Sequence, residues 1–260
     1  MNVRPRDRVA MVVASSAGVG LAAAKGLAVR GAHVSLCDLD PRRLARAHVE
    51  VNALGPGDVL SMPVDPYDPC AVAEWVRRTA DNFGGLDIVV TNSGPITPGP
   101  VDGFRLADYR AAIDANLLPH VSATLAALPI VKRGGWGRLL LIAPAKARRP
   151  HGREGLSGMA RMGLIGYLRG LVDTLDGTGV TANVLVPGAG PGAGPRLWGD
   201  PGAGAEIARV ADRIRGEGTR EGAEFGALAA YLASERAEPV TGLVFDTHGG
   251  DVGAMAACRG

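Results

Sequence analysis

The stretch VVASSAGVG at residues 12–20 joins an apolar run to a turn of small residues that opens a helix. The run RVAMVVA, at 8–14, has strand length, and GLAAAKGLAVRG, at 20–31, is amphipathic. Gly18 and Gly20 allow a backbone to approach a bound phosphate, whose charge is stabilised by the free amides at a helix start. Small residues also occur at ordinary turns of this kind. The stretch therefore predicts strand, turn and helix, and favours an anionic ligand.

The alternation of apolar runs and amphipathic stretches continues along the whole chain. Because the runs are apolar almost throughout, they fit strands that are buried on both faces of a parallel sheet. Alternating strands and helices with short connections wind such a sheet through right-handed crossovers. We therefore predict an α/β fold, a Rossmann-like doubly wound parallel sheet with helices on both faces. The seven predicted strands are 8–14, 33–38, 58–64, 86–92, 137–143, 181–187 and 242–247.

The composition fits one large globular domain. A chain of 260 residues, 47% of them hydrophobic, can bury a sizeable core, and no linker or repeat interrupts residues 1–260. A formal net charge of +2 gives no field that attracts nucleic acid. Cys37, Cys70 and Cys258 are too scattered for a disulfide framework or a zinc site, so we expect no metal. We find neither a signal peptide nor an apolar stretch of the roughly 18–20 residues that cross a bilayer, and expect a cytoplasmic protein without membrane contact.

A segment rich in glycine and proline follows the sixth predicted strand. Residues 188–204, GAGPGAGPRLWGDPGAG, contain seven glycines and three prolines. Because ligands bind at the carboxyl ends of strands in doubly wound folds, the segment is a candidate substrate lid over 188–216, although a passive connector is equally open. Its bulky residues, Leu197 and Trp198, favour an apolar or aromatic ligand. A polyketide-like substrate from bacterial specialised metabolism would suit.

A carboxylate ends the second predicted strand. Asp38 stands eighteen residues after Gly20 and can accept hydrogen bonds from an adenosine ribose. The same carboxylate repels a 2′-phosphate, Ala17 supplies no compensating cation, and Arg42 and Arg43 lie farther along the next helix. The residues therefore favour NAD(H) over NADP(H).

With these motifs in place, the chain resembles the short-chain dehydrogenases/reductases nearly end to end, in the manner of β-ketoacyl-carrier-protein reductases. The family motif Thr-Gly-x-x-x-Gly-x-Gly corresponds to residues 13–20, with Val13 and Ala14 in its first two places. Its Asn-Asn-Ala-Gly stretch corresponds to TNSG at 91–94. The resemblance implies a nicotinamide cofactor and the residues that hold it. These are Ser15, Ser16, Gly18, Val19, Gly20, Asp38, Asp65, Asn92, Gly94, Arg161, Pro187 and Gly188.

The resemblance breaks down on the catalytic helix, GLSGMARMGLIGY at 155–167. The family uses a tyrosine, a lysine four residues later and an earlier serine, and the matching places here are Ser157, Arg161 and Pro144. Arg161 can bond ribose hydroxyls and supply charge, but a guanidinium stays protonated in proteins and therefore cannot relay protons. Ser157 is a poor acid near neutrality. The family's tyrosine mechanism therefore cannot run in this chain as written.

Few groups are available as replacements. His151 precedes the catalytic helix, and the ordinary histidine pKa of about 6.5 suits acid–base work, although a solvated loop histidine is the plainer interpretation. Lys146 faces an anionic substrate or water, and we expect Tyr109 and Tyr167 in the core or an interface. The helix asparagine of the family is kept as Asn116. The candidate catalytic set is Asn116, Ser157, Arg161 and His151.

Three functions remain open at this stage. In the first, the chain is an NAD(H)-dependent oxidoreductase that acts on the carbonyl or alcohol of a small substrate by a non-standard proton path. Alternatively it is a non-redox dehydratase, cyclase or isomerase, or a catalytically silent cofactor-binding subunit. The predicted helices near 103–127 and 155–177 have broad apolar faces that the family packs between subunits. The resemblance therefore implies a homodimer or homotetramer.

Overall fold

A computed structural model of the protein describes residues 8–94, 97, 99–144, 155–187, 203–215 and 219–247. Seven strands form one sheet in the order β3-β2-β1-β4-β5-β6-β7, and every neighbouring pair is parallel. The predicted doubly wound parallel sheet is confirmed. The strands are β1 (Val9–Val12), β2 (His33–Asp38), β3 (Val59–Pro63), β4 (Ile88–Thr91), β5 (Gly137–Ile142), β6 (Val180–Val186) and β7 (Val244–Asp246).

Helices cover both faces of this sheet. One core cluster joins one face of the strands to α1, α2, α7 and α8, and the other joins the opposite face to α3, α5 and α6. Alternate residues of a strand enter opposite clusters, as Ala10 and Met11 do on β1. The helices are α1 (Gly18–Val29), α2 (Pro41–Asn52), α3 (Pro69–Phe83), α4 (Leu106–Asn116), α5 (Leu118–Arg133), α6 (Gly155–Leu175), α7 (Ala203–Ile214) and α8 (Arg220–Leu232).

Two helices, α2 and α3, begin with the same Asp-Pro pair. Asp40 and Asp68 are the N-caps of α2 and α3, and each side chain accepts hydrogen bonds from two backbone amides of the first turn. Proline follows in the first helical position, where no amide hydrogen is needed. The carboxyl ends of β2 and β3 are thereby followed by sharply defined helix starts.

The contact between α1 and α8 depends on two glycines. A Cβ atom on Gly26 would lie 2.2 Å from the carbonyl oxygen of Gly226, and a Cβ on Gly226 would lie 2.1 Å from that of Ala22. The two helix backbones therefore touch directly, which no larger residue permits at this separation.

The helix α7 forms part of the segment predicted as a lid. Its first turn carries Glu206, which is buried and bonds both Arg30 at the end of α1 and Arg236 beyond α8. Residues 188–202 and 216, the rest of that segment, lie outside the described residues. The lid and the one-domain organisation stay predictions.

Candidate functional site

The turn between β1 and α1 is closed by direct backbone contact. Ala14 has a φ of 49°, in the left-handed region that favours glycine. A Cβ atom on Gly20 would lie 2.3 Å from the carbonyl oxygen of Ala14, so only glycine fits there. Gly18 has a positive φ of 55°, and Ala17 at the N-cap has no side-chain acceptor. The first amides of α1 are therefore suited to an anionic ligand.

Asp38, at the end of β2, is held by two hydrogen bonds from different parts of the chain. Ser16 Oγ donates to Asp38 Oδ2 at 2.6 Å, and the backbone nitrogen of Asp40 donates to Oδ1 at 3.0 Å. The carboxylate stays partly exposed. Its remaining lone pairs are available to the hydroxyl groups of a ligand.

The neighbouring serine has a different task. Ser15 is fully buried; its hydroxyl donates to the carbonyl oxygen of Cys37 at 3.2 Å and accepts from its amide at 3.0 Å. Ser15 thus ties the turn after β1 to β2. Burial raises the pKa of the Cys37 thiol to about 12, which makes it unreactive.

Three more predicted cofactor residues lie at the same sheet edge, because the carboxyl ends of parallel strands meet there. Asp65 follows β3 and accepts a bond from the amide of Tyr67. Asn92 follows β4, and its Nδ2 would lie 3.1 Å from a Cβ atom on Gly20. A Cβ on Gly94 would lie 2.6 Å from the hydroxyl oxygen of Tyr67. The sequence reasoning missed Tyr67, although an aromatic residue two places after Asp65 was a visible signal.

Two other predicted cofactor residues take up buried or half-buried places. Val19 is half-buried in α1 and packs against the core cluster of that helix face. Pro187 follows β6 directly and is buried.

The positions that depart from the family's catalytic residues, one after β5 and two on α6, also come together. Arg161 Nε donates to the carbonyl oxygen of Pro144, just beyond β5, at 3.4 Å. Ser157 lies one helical turn before Arg161, so both side chains emerge on the same side of α6. Both residues are partly exposed. The three altered positions therefore adjoin one another.

Asn116 ends α4 and is buried, and no described residue bonds its Oδ1. One turn later His120 is fully buried, and its Nδ1 lies 2.6 Å from Thr91 Oγ1 at the end of β4. Burial lowers the pKa of His120 to about 3, so its imidazole is neutral at physiological pH. Sequence reasoning missed His120; its position four residues after Asn116 was the only signal.

The two tyrosines considered in the sequence differ in their surroundings. Tyr109 is half-exposed and donates its hydroxyl to the carbonyl oxygen of Val101 at 2.9 Å. The Tyr167 hydroxyl is buried between the helices of one face, and burial raises its pKa.

Comparison with known proteins places the chain in a family. A family model described as enoyl-(acyl-carrier-protein) reductase matches residues 13–251. The chain belongs to the short-chain dehydrogenase/reductase family. It is 31% identical over 182 residues to D-β-hydroxybutyrate dehydrogenase of Rhizobium meliloti, which covers 70% of each protein.

Other short-chain dehydrogenases/reductases match over nearly the full length. The 3-oxoacyl-[acyl-carrier-protein] reductase of Escherichia coli is 26% identical over 244 residues, 94% of this chain and 96% of that protein. The chain is 28% identical to a short-chain dehydrogenase from Burkholderia cenocepacia, whose crystal structure is in complex with NADP. The TM-score is 0.76, and the match covers 95% of this chain and 98% of that one. The family is one of oxidoreductases that bind a nicotinamide cofactor and act on small substrates, typically as oligomers.

Some predicted residues of this short-chain dehydrogenase/reductase lie outside the described residues, namely His151, Gly188, Lys146, Leu197 and Trp198. Within the described ranges, no group of three or more His, Cys, Asp or Glu side chains is placed to hold a metal ion. No helix of those ranges is long and apolar enough to span a membrane.

Proposed function

We propose that the protein is an NAD(H)-dependent oxidoreductase that transfers hydride between the cofactor and the carbonyl or alcohol of a small, apolar substrate, by a non-standard proton path. The observation that carries the proposal is the anchored carboxylate of Asp38, beside the amides that begin α1. Carboxylate and amides together match the two polar parts of a dinucleotide, its ribose hydroxyls and its pyrophosphate.

The preference for NAD(H) rests on charge at the end of β2. A 2′-phosphate at the ribose would meet the Asp38 carboxylate. Of the two arginines that follow Asp38 in the first turn of α2, Arg43 is already engaged, since its Nε bonds Asp40 Oδ2 at 2.9 Å. A related dehydrogenase is known with NADP, so family membership alone leaves the choice open. The argument for NAD(H) is the local one.

The chain's own residues must handle the proton differently from the family. The cofactor supplies or takes up the hydride. Arg161, whose Nε donates to the Pro144 carbonyl, adds positive charge that stabilises a developing oxyanion, and it can bond ribose hydroxyls. Asn116 and Ser157 orient the substrate or a water molecule that gives the proton. A positioned general acid contributes typically about 10²–10⁴-fold, so we expect slow turnover rather than none.

The test combines binding and turnover. Calorimetry of the purified chain with NADH and NADPH should show tighter binding of NADH, and Asp38→Ala should reduce that preference. A panel of ketones and alcohols should then change the near-ultraviolet absorbance of the reduced nicotinamide. Affinity for neither nucleotide contradicts the proposal. Tight binding without turnover on any substrate favours instead the silent cofactor-binding subunit, for which the missing acid is the specific observation.

We also propose a homodimer or homotetramer that buries the outer faces of α4, α5 and α6. Leu118, Leu125 and Met162 expose about half of their surfaces on these helices. An apolar groove of about 740 Å³ runs between α4–α5 and the turn after β3. Light scattering should give at least twice the chain mass, and Leu125→Arg should lower it. An unchanged monomer mass contradicts the proposal.

A further inference from the structure

The Asp38 carboxylate is anchored from two sides, and one anchor is a side chain. The Ser16 bond comes from the turn after β1, and the Asp40 bond from the backbone after β2. We propose that Ser16 is a positioning residue for cofactor choice. This inference rests on the proposed function. Ser16 sets the orientation of the Asp38 carboxylate, and this orientation discriminates between NADH and NADPH in addition to the carboxylate's charge.

The geometry supports a fixed rather than a mobile carboxylate. Two donors on different oxygens oppose rotation of the carboxyl plane, whereas one donor would act as a pivot. At 2.6 Å the Ser16 bond has the length of a charge-assisted O–H···O⁻ bond. Ser16 is only 8% exposed, so water competes little for its hydroxyl.

The two adjacent serines divide the work. The Ser15 hydroxyl bonds the backbone of Cys37 and so ties the turn after β1 to β2. The Ser16 hydroxyl bonds the charged side chain of Asp38, which binds the cofactor ribose in the proposed function. Without that hydroxyl, the carboxylate keeps its bond to the Asp40 amide and can turn away from the ribose. A rotated carboxylate accepts weaker hydrogen bonds from the ribose hydroxyls and repels a 2′-phosphate less strongly.

The test is calorimetric binding of NADH and NADPH to the full chain. For Ser16→Ala we expect NADH to bind about tenfold more weakly, while NADPH binding is unchanged or tighter, so the affinity ratio falls by about tenfold or more. Ser16→Thr keeps the donor and should keep the ratio. Ser234→Ala is the matched control, because Ser234 is also a buried serine whose hydroxyl donates at 2.6 Å, but to the carbonyl of Tyr231. Its ratio should equal that of the parent.

A double-mutant cycle separates positioning from direct contact with the cofactor. If Ser16 acts through Asp38, then Ser16→Ala in the Asp38→Ala background should have no further effect on NADH affinity. An undiminished effect in that background, or an unchanged ratio in Ser16→Ala alone, overturns the inference. If the alanine variant does not fold, Ser16→Cys replaces it. Cysteine is a weaker donor of similar size, so the ratio of NADH to NADPH affinity should again fall, and an unchanged ratio overturns the inference. Failure of the proposed function looks different: the parent chain then binds neither nucleotide.

Discussion

Ala14 combines an L side chain with a left-handed backbone, at the place where the family motif has glycine. A left-handed conformation costs an L-residue roughly 1–2 kcal/mol, and glycine escapes this at the expense of greater freedom when unfolded. We therefore expect Ala14→Gly to raise the free energy of unfolding by about 1 kcal/mol, measured by urea denaturation. Ala53→Gly is the control, because Ala53 has an ordinary φ of −73° and should lose stability. A loss in both variants would contradict the assignment of strain.

Residue types and spacing predicted which positions share the site, but not the bonds among them. Asp38 and Arg161 were expected from motif register. The bond from Ser16 to Asp38 and the bond from Arg161 to Pro144 depend on side-chain rotamers and on how the elements approach one another, which no spacing rule contains. His120 was missed for the same reason, since its partner Thr91 is distant in sequence.

The altered catalytic positions can be tested by restoring the family residues. Ser157→Tyr with Arg161→Lys, followed by Pro144→Ser, should produce reduction of generic ketones by NADH above the parent's rate. The gain should approach the roughly 10²–10⁴-fold that a general acid supplies. The rate is followed by nicotinamide absorbance. Conversely, turnover of a native substrate that survives both Ser157→Ala and Arg161→Ala would mean that the active site lies elsewhere.

At the scale of elements, all seven predicted strands are present, because continuous apolar runs between helical stretches have few alternatives. Their ends match the prediction or differ from it by one or two residues; Val13 and Ala14, for example, already belong to the turn after β1. The helix predicted near 103–127 is broken at Leu117, with φ −121° and ψ −52°, into α4 and α5. Pro119 just beyond the break cannot donate a helical hydrogen bond, which hydrophobic periodicity alone does not register.

The direct contact of α1 and α8 makes a prediction at the same scale. Alanine favours a helix over glycine by about 1 kcal/mol, yet a methyl group at Gly26 would overlap the Gly226 carbonyl, and such overpacking typically costs about 1–3 kcal/mol. Because a backbone atom cannot step aside, we expect Gly26→Ala to lower the unfolding temperature. Gly204→Ala on the exposed side of α7, with no described atom within 4 Å of the added Cβ, should raise or preserve that temperature. Equal shifts in the two variants would contradict the packing argument.

At the scale of the molecule, the described residues form one parallel sheet between two apolar helix layers, and within one layer His120 is an ionisable exception. Its pKa in the folded protein is about 3, below the ordinary value of about 6.5, so the unfolded chain binds a proton that the folded chain refuses. The contribution of the neutral His120 side chain to the free energy of unfolding is fully present above pH ~6.5. It is lost as pH falls toward 3, by up to about 1.4 kcal/mol per pH unit.

We therefore expect the free energy of unfolding, measured in urea at several pH values, to fall more steeply in the parent than in His120→Asn. Carboxylates with lowered pKa values, such as Asp40 and Glu74, titrate in the same direction in both proteins and cancel in the comparison. Parallel curves for parent and variant would show that His120 takes up its proton in the folded state.

The ion pairs of Glu206 fasten the first turn of α7 to Arg30 and Arg236, and Pro187 at the end of β6 is buried. Both places are held by contacts that lie within the described ranges. A chimaera that takes the residues between them from a related short-chain dehydrogenase/reductase should therefore keep the parallel sheet and the turn after β1.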